Sequence, residues 1–297
     1  MHVLVTGGTG FIGGALIPAL QAAGHRLTVL TRRPATAALP PVVKAVSDSA
    51  ACADDPPDAV INLAGENLGA GRWNDARRAT FVSSRVGTTE QLVAACARWR
   101  RPPTVWLNGS AIGWYGPRDE EVLTEGSAPG TGFAAELCAR WEAAAAPVEA
   151  LGTRLAVIRI GVVLGLPGGA LGQMLPPFRL GLGGPLGHGR QWMSWIHRDD
   201  LVAMMQWLLN HETAQGAFNG TAPGPVRNAD FSRQLGRALR RPAVLPMPAA
   251  ALRLLVGPMA DELLLSGQQV LPRRALHGGF TFHYPTLEGA LRQILAQ

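Results

Sequence analysis

The sequence predicts an α/β protein built on a doubly wound parallel sheet, with a smaller, mainly helical lobe at its C-terminal end. Three observations predict it. Apolar runs rich in β-branched residues alternate with stretches of helical spacing through the first two-thirds of the chain, the pattern of strand–helix–strand units. A glycine cluster, "VTGGTGFIGG" (5–14), ends the first run and opens the first helix. From Pro223 onward the reading is mainly helical.

The elements follow in order. "HVLVT" (2–6) is the first strand, and "FIGGALIPALQAAG" (11–24) is a helix closed by Gly24. "RLTVLT" (26–31) is the second strand and "DAVINLAG" (58–65) a buried one. "RVGTTEQLVAACARW" (85–99) has helical spacing, "TVWLNGSA" (104–111) is a strand, and 132–151 is mostly helix. "RLAVIRIGVVLG" (154–165) reads as one strand running into a loop. Nine glycines occur from Gly165 to Arg190, both included, too many for a core element, and long loops in compact domains are usually functional. Order returns at "MSWIH" (193–197), with a helix over about 200–210. Further helices are read at 228–240, 248–256, 258–267 and 286–296.

The chain has 297 residues, 47% of them apolar and 16% charged, which suits one core with an appended lobe and excludes extended disorder. No apolar run is long enough for a membrane helix. Strand and glycine loop begin at once, so no signal peptide is read and a cytoplasmic setting is expected. Cys52, Cys96 and Cys138 show neither CxxC spacing nor neighbouring histidines, so no metal site is expected. The net charge is +6, but the arginines are scattered in short pairs and Lys44 is the only lysine. No basic stripe or reading motif points to nucleic acid.

Gly7, Gly10 and Gly13 fit G-x-x-G-x-x-G between a strand and a helix. Such glycines let the backbone turn tightly and approach a pyrophosphate, which the N–H groups and dipole of the helix N-terminus then hold. This is a Rossmann-type dinucleotide site, with Thr9, Phe11 and Ile12 in the same loop. NAD binders commonly place an acid about 20 residues on, for the ribose 2′-hydroxyl. Here Arg32 and Arg33 stand after Thr31. A guanidinium pair suits a 2′-phosphate, so NADP(H) is expected. Residues 1–165, completed by about 193–222, form the dinucleotide-binding domain; 166–192 and 223–297 form the substrate lobe.

The chain resembles the extended short-chain dehydrogenase/reductase superfamily in "TGGTGFIG", "INLAG" (61–65), "SAIGWYG" (110–116), "RIGVVLG" (159–165) and "WIHRDD" (195–200). More narrowly, it is similar to the atypical branch of NAD-dependent epimerase/dehydratase family proteins. The motifs are "LAGENL" (63–68), Arg72–Trp73, Ser84–Arg85 with Thr88–Thr89, Trp141–Glu142, "FRLGLGGPLG" (178–187) and "GRQWMSWIH" (189–197), with a matching tail over 228–231 and 263–274. The resemblance implies cofactor contacts at the glycine loop, Arg32, Arg33, Leu63, Ala64, Gly65, Arg85 and Val162. For Arg85 an ordinary helix-start ion pair is the other reading.

Most of that superfamily uses a Tyr-x-x-x-Lys pair. This chain has only Tyr115 and Tyr284, with Asp119 and Glu288 four residues on. The pair is absent, and Phe133 is expected near the tyrosine's place. Candidates for proton transfer are Ser110 at the strand end, Tyr115, and Glu136 near the lost lysine, each weighed against a packing or solvated role. Cys138 reads as a small apolar residue. His197 is a titratable candidate or a packed residue, and Asp199 a helix cap. Trp73, Trp114, Trp192 and Trp195 suggest a flat apolar ligand, and Arg179 and Arg190 an anionic group. The expected function is hydride transfer on a small carbonyl or alcohol, with no nucleic-acid or membrane partner. The alternatives are a non-catalytic NADP(H)-binding regulator or scaffold and, more remotely, a nucleotide-sugar epimerase. Substrate identity and oligomeric state stay open.

Overall fold

The computed structural model describes residues 1–296. Seven strands form the main sheet: β1 (His2–Thr6), β2 (Arg26–Leu30), β3 (Lys44–Val46), β4 (Ala59–Asn62), β5 (Val105–Ala111), β6 (Arg154–Ile160) and β7 (Gly216–Gly220). Their order is β7-β6-β5-β4-β1-β2-β3, and every pair is parallel. The chain winds outward from β1 in one direction, then returns through β4 in the other. The switch point between β1 and β4 opens a crevice at the strands' carboxyl ends, where ligands of such sheets bind.

Alternation within strands feeds two cores. Val3 and Val5 of β1, Ala59 and Ile61 of β4, and Val105 and Leu107 of β5 face one side. There they meet Leu16, Ile17 and Leu20 of α1 (Gly13–Ala22) and Leu201, Met204, Met205 and Leu208 of α6 (Arg198–Asn210). Leu4, Val60 and Trp106 face the other side, against Leu92 and Cys96 of α3 (Thr88–Cys96) and Ala145 of α4 (Phe133–Ala145). Burial on both faces is why these strands read as continuous apolar runs. The strand β3 is a three-residue edge, and β7, "GAFNG", carries no β-branched residue, so neither was anticipated.

Three expectations are corrected. The stretch 154–165 is two strands: the chain turns out of the sheet at Gly161, and Val162–Leu164 pairs with Trp195–His197. A Cβ at Gly161 would stand 2.4 Å from the Ser194 carbonyl oxygen, so only glycine allows that close approach. The helix expected from Arg85 starts earlier, as α2 (Asp75–Val82), and passes through a π-type turn, Ser83–Gly87, into α3. The glycine-rich stretch contains α5 (Gly169–Arg179). Leu171, Leu175 and Phe178 recur at helical spacing and are buried, a stripe that the glycines and prolines around it conceal.

The lobe's core joins α5 to α7 (Asn228–Leu239) and α10 (Leu287–Leu295) through Phe178, Phe231, Leu235, Leu291 and Ile294. Between them run α8 (Ala249–Val256), a π-type turn at Ala260–Leu264, and the short α9 (Arg273–His277).

His197 caps α6. Its Nδ1 accepts the Asp199 N–H at 3.1 Å and its Nε2 faces the Gln293 Oε1 at 2.8 Å, an arrangement that needs the neutral Nε2–H tautomer. Burial lowers its pKa, against the opposing fields of Asp199 and Asp200. The folded pKa thus lies below the unfolded value near 6.5. Its contribution is present above that value and is lost as pH falls through the folded pKa. The Tm is expected to drop on acidification below about pH 6.5, and more steeply than in His197→Gln. Equal slopes for the two proteins would refute this role.

Candidate functional site

A cleft of about 570 Å3 opens at the carboxyl ends of β1, β4, β5 and β6. Its first wall is the glycine loop. Gly7 has φ +70°, and a Cβ there would lie 2.5 Å from the Leu63 carbonyl oxygen. A Cβ at Gly13 would lie 2.2 Å from the Gly7 oxygen. Helix α1 starts at Gly13 without a side-chain cap; Gly14 and Ala15 donate back to Gly10 and Ile12 at 2.7 and 3.1 Å, while the N–H groups of Phe11, Ile12 and Gly13 take no backbone acceptor among the described residues and can meet an anion.

The strand ends that carry this loop are tied together by a buried network. Thr6 Oγ1 donates to Asn62 Oδ1 at 2.7 Å and accepts the Leu63 and Ala64 N–H groups at 3.1 and 3.0 Å. Asn62 Nδ2 donates to Thr89 Oγ1 and Asn108 Oδ1, both at 2.8 Å. These polar residues inside apolar runs were not singled out from sequence, although a polar residue in a buried strand is itself a signal.

Arg85 lies in the π-type turn, a feature frequent at functional sites. Its guanidinium packs 5.3 Å from the Trp141 ring centroid and so close under Gly65 that a Cβ there would stand 2.8 Å from Cζ. Burial lowers its pKa, and its Nη1 is buried without a protein partner. Among the described residues no carboxylate lies at ion-pair distance from it, so the ordinary ion-pair reading fails there. Such a nitrogen is costly unless a ligand accepts from it.

Ser110 lines the cleft at the end of β5. Its Oγ donates to Glu142 Oε1 at 2.6 Å. Glu142 in turn takes a two-point contact from Arg159, with Nε and Nη2 each at 2.9 Å from its oxygens. Arg159 also donates to the Tyr115 hydroxyl at 3.1 Å and lies 3.9 Å over the Trp114 ring. Tyr115 donates to Asn219 Oδ1 at 2.6 Å, is fully buried, and has its pKa raised by that burial. Tyr115 and Trp114 therefore brace Arg159 and lie outside the cleft. Glu142, the second residue of the Trp141–Glu142 motif, is largely buried between Ser110 and Arg159 and holds both.

Helix α4 presents Phe133, Ala134, Leu137, Cys138 and Trp141 to the cleft. None of them ionises near neutrality: burial pushes the Cys138 thiol up to about 11. Glu136 points to solvent on the opposite face, which corrects its candidacy. The N-terminus of α4 is capped from the lobe, where Glu262 accepts the Phe133 and Ala134 N–H groups at 3.2 Å. Trp73 and Trp192 line the cleft. Trp195 is core, its Nε1 donating to the Gly224 carbonyl at 2.8 Å. Arg179 and Arg190 are exposed outside the cleft, and His197 is a buried cap, the role expected of Asp199. Thr9, Arg32 and Arg33 are exposed beside the crevice, the two arginines just past β2 and paired with no carboxylate among the described residues.

Gln191, quoted in a motif but given no role, has its amide fixed. Nε2 donates to the carbonyls of Leu186 at 3.0 Å and Leu264 at 2.8 Å. Its Oε1 is buried without a partner, and the residue lines the cleft.

A model of the NAD dependent epimerase/dehydratase family matches residues 3–219, and a domain of unknown function, DUF1731, matches residues 247–294. The human epimerase family protein SDR39U1 is 40% identical over 299 residues, covering all of both chains. A chloroplastic SDR39U1 homologue of Arabidopsis thaliana is 41% identical over 308 residues, 99% of this chain and 87% of that one. A crystal structure of human SDR39U1 (isoform 2) with NADPH superposes with a TM-score of 0.92 at 40% identity over both full chains. A nucleoside-diphosphate sugar epimerase structure from Corynebacterium glutamicum gives a TM-score of 0.78 at 33% identity, covering 99% of this chain and 58% of that one.

Proposed function

The chain belongs to the NAD dependent epimerase/dehydratase family, and on that premise we propose that it binds NADP(H) and transfers hydride between the nicotinamide and a small carbonyl or alcohol. The observation that carries this reading is one continuous cleft, with a glycine cradle at one end and an apolar chamber at the other. The cradle admits no Cβ at Gly7 or Gly13, and the free Arg85 nitrogen offers an anion partner, so the residues fit a dinucleotide. Arg32 and Arg33 would hold the 2′-phosphate. Human SDR39U1 with NADPH supports that choice.

Bound there, the cofactor supplies the hydride. The chain's own residues supply position. Trp73, Leu137, Met174 and Leu264 wall the substrate half and exclude water. Ser110 donates its proton to Glu142, so its Oγ accepts from an alcohol substrate's hydroxyl and gives no proton to a carbonyl oxygen. The proton for the product oxygen then comes from solvent at the mouth. Positioning alone supplies much of the barrier reduction, and the missing donor leaves the reaction slower by about 10²–10⁴-fold. A small-molecule substrate is the only partner proposed, and buried free thiols agree with a reducing, cytoplasmic setting. No described helix is long and apolar enough to cross a membrane.

The helix face without an ionisable pair favours a second reading, an NADP(H)-binding regulator. The apolar lining offers few partners for sugar hydroxyls, against an epimerase. The test is NADPH oxidation over a panel of hydrophobic carbonyls and quinones. Slow turnover is expected, and in the reverse direction, with NADP+ and the matching alcohols, Ser110→Ala should lower kcat at unchanged cofactor affinity. Tight NADPH binding with no turnover anywhere would decide for the regulator.

A further inference from the structure

We propose that Gln191 sets substrate specificity, by accepting a hydrogen bond from a hydroxyl carried on an otherwise apolar substrate. This deepens the hydride-transfer reading and rests on it. The side chain is over nine-tenths buried, at 7% exposure, and lines the cleft. Its orientation is not free. Nε2 is held by two backbone carbonyls, Leu186 on one side and Leu264 on the other. A flipped amide would set Oε1 against both carbonyls, so the acceptor stays where it is.

The backbone around it is equally fixed. The Gln191 carbonyl accepts the Asn228 N–H at 2.9 Å, and Asn228 Oδ1 accepts the Leu186 N–H at 2.7 Å. Ser194, which also lines the cleft, is already occupied. Ser194 Oγ donates to the Gln268 carbonyl and accepts the Val270 N–H. Oε1 of Gln191 is therefore a buried acceptor without a donor among the described residues, on a residue that lines a largely apolar chamber.

A buried acceptor without a donor is costly, and a ligand group that donates to it removes the cost. A site built this way rejects an analogue that lacks the donor far more strongly than an apolar wall rejects a missing methyl. The substrate class that follows is a hydrophobic carbonyl compound bearing a hydroxyl away from the reacting carbon.

The test uses full-length protein loaded with NADPH. Probes are the 2-, 3- and 4-hydroxybenzylideneacetones, each paired with its methyl analogue, which has nearly the same shape and no donor. Affinity is read by calorimetry, and NADPH oxidation is followed for each probe. At least one hydroxyl isomer is expected to bind about tenfold or more tightly than its methyl partner. In Gln191→Leu the ratio should fall to near one, with the methyl analogue's affinity retained. The pairs within the unmutated protein give an answer even if Gln191→Leu folds poorly. Equal affinities within every pair would overturn the proposal, and so would a preference that persists in Gln191→Leu. Turnover without hydroxyl preference would overturn this proposal while leaving the hydride-transfer reading intact. Binding with hydroxyl preference but no turnover would support the Gln191 assignment and count against hydride transfer.

Discussion

Glu142→Ala is expected to cost about 3–5 kcal/mol of folding stability, because it strands the buried Arg159 guanidinium. The pair is 6% and 13% exposed, and the contact is bidentate at 2.9 Å. Burial alone would lower the Arg159 pKa, yet the carboxylate contact raises it overall. Equilibrium denaturant unfolding measures the loss. A double variant, Glu142→Leu with Arg159→Met, should recover much of it, since an apolar pair of similar volume carries no desolvation penalty. A loss under about 1 kcal/mol in Glu142→Ala would mean that solvent reaches the pair. The same variant frees Ser110 to turn its proton toward the cleft.

Arg32→Ala combined with Arg33→Ala is expected to weaken NADPH binding while leaving NADH binding almost unchanged. Each charge-assisted contact to a phosphate is worth roughly 1.5–3 kcal/mol. Two of them correspond to a loss on the order of a hundredfold or more. Both side chains are exposed just beyond β2, and among the described residues neither pairs with an acid that would compete for it. Titration of the double variant and the unmutated protein with both cofactors reads the effect directly. Equal affinity of the unmutated protein for NADPH and NADH would sink the assignment.

Much of the fold was legible in the chain, because local periodicity records local burial. The runs that became β1, β2, β4, β5 and β6 are apolar on both faces and are bounded by turn residues. The glycine loop announced itself because a positive φ at Gly7 and contact distances at Gly13 admit no other residue without strain. The elements that escaped were those with diluted patterns. Helix α5 keeps its buried stripe among glycines and prolines, and β7 pairs through backbone alone without β-branched side chains.

By itself, the sequence determined the strand–turn–helix cradle, the arginine pair in place of an acid, and the absence of a Tyr-x-x-x-Lys pair. Each is a matter of residue identity at short spacing, and short-range sterics and charge act within a few residues. Only the tertiary structure decided which candidates share the cleft. It brought Arg85, Ser110 and Gln191 to one chamber, turned Glu136 to solvent, and buried Tyr115 and His197 in bracing roles. It also joined Ser110, Glu142 and Arg159, which stand 32 and 17 residues apart along the chain. The physical reason is that such partnerships depend on strand order and helix rotation. Those are set by the summed burial of many residues, and no single stretch of the chain carries them.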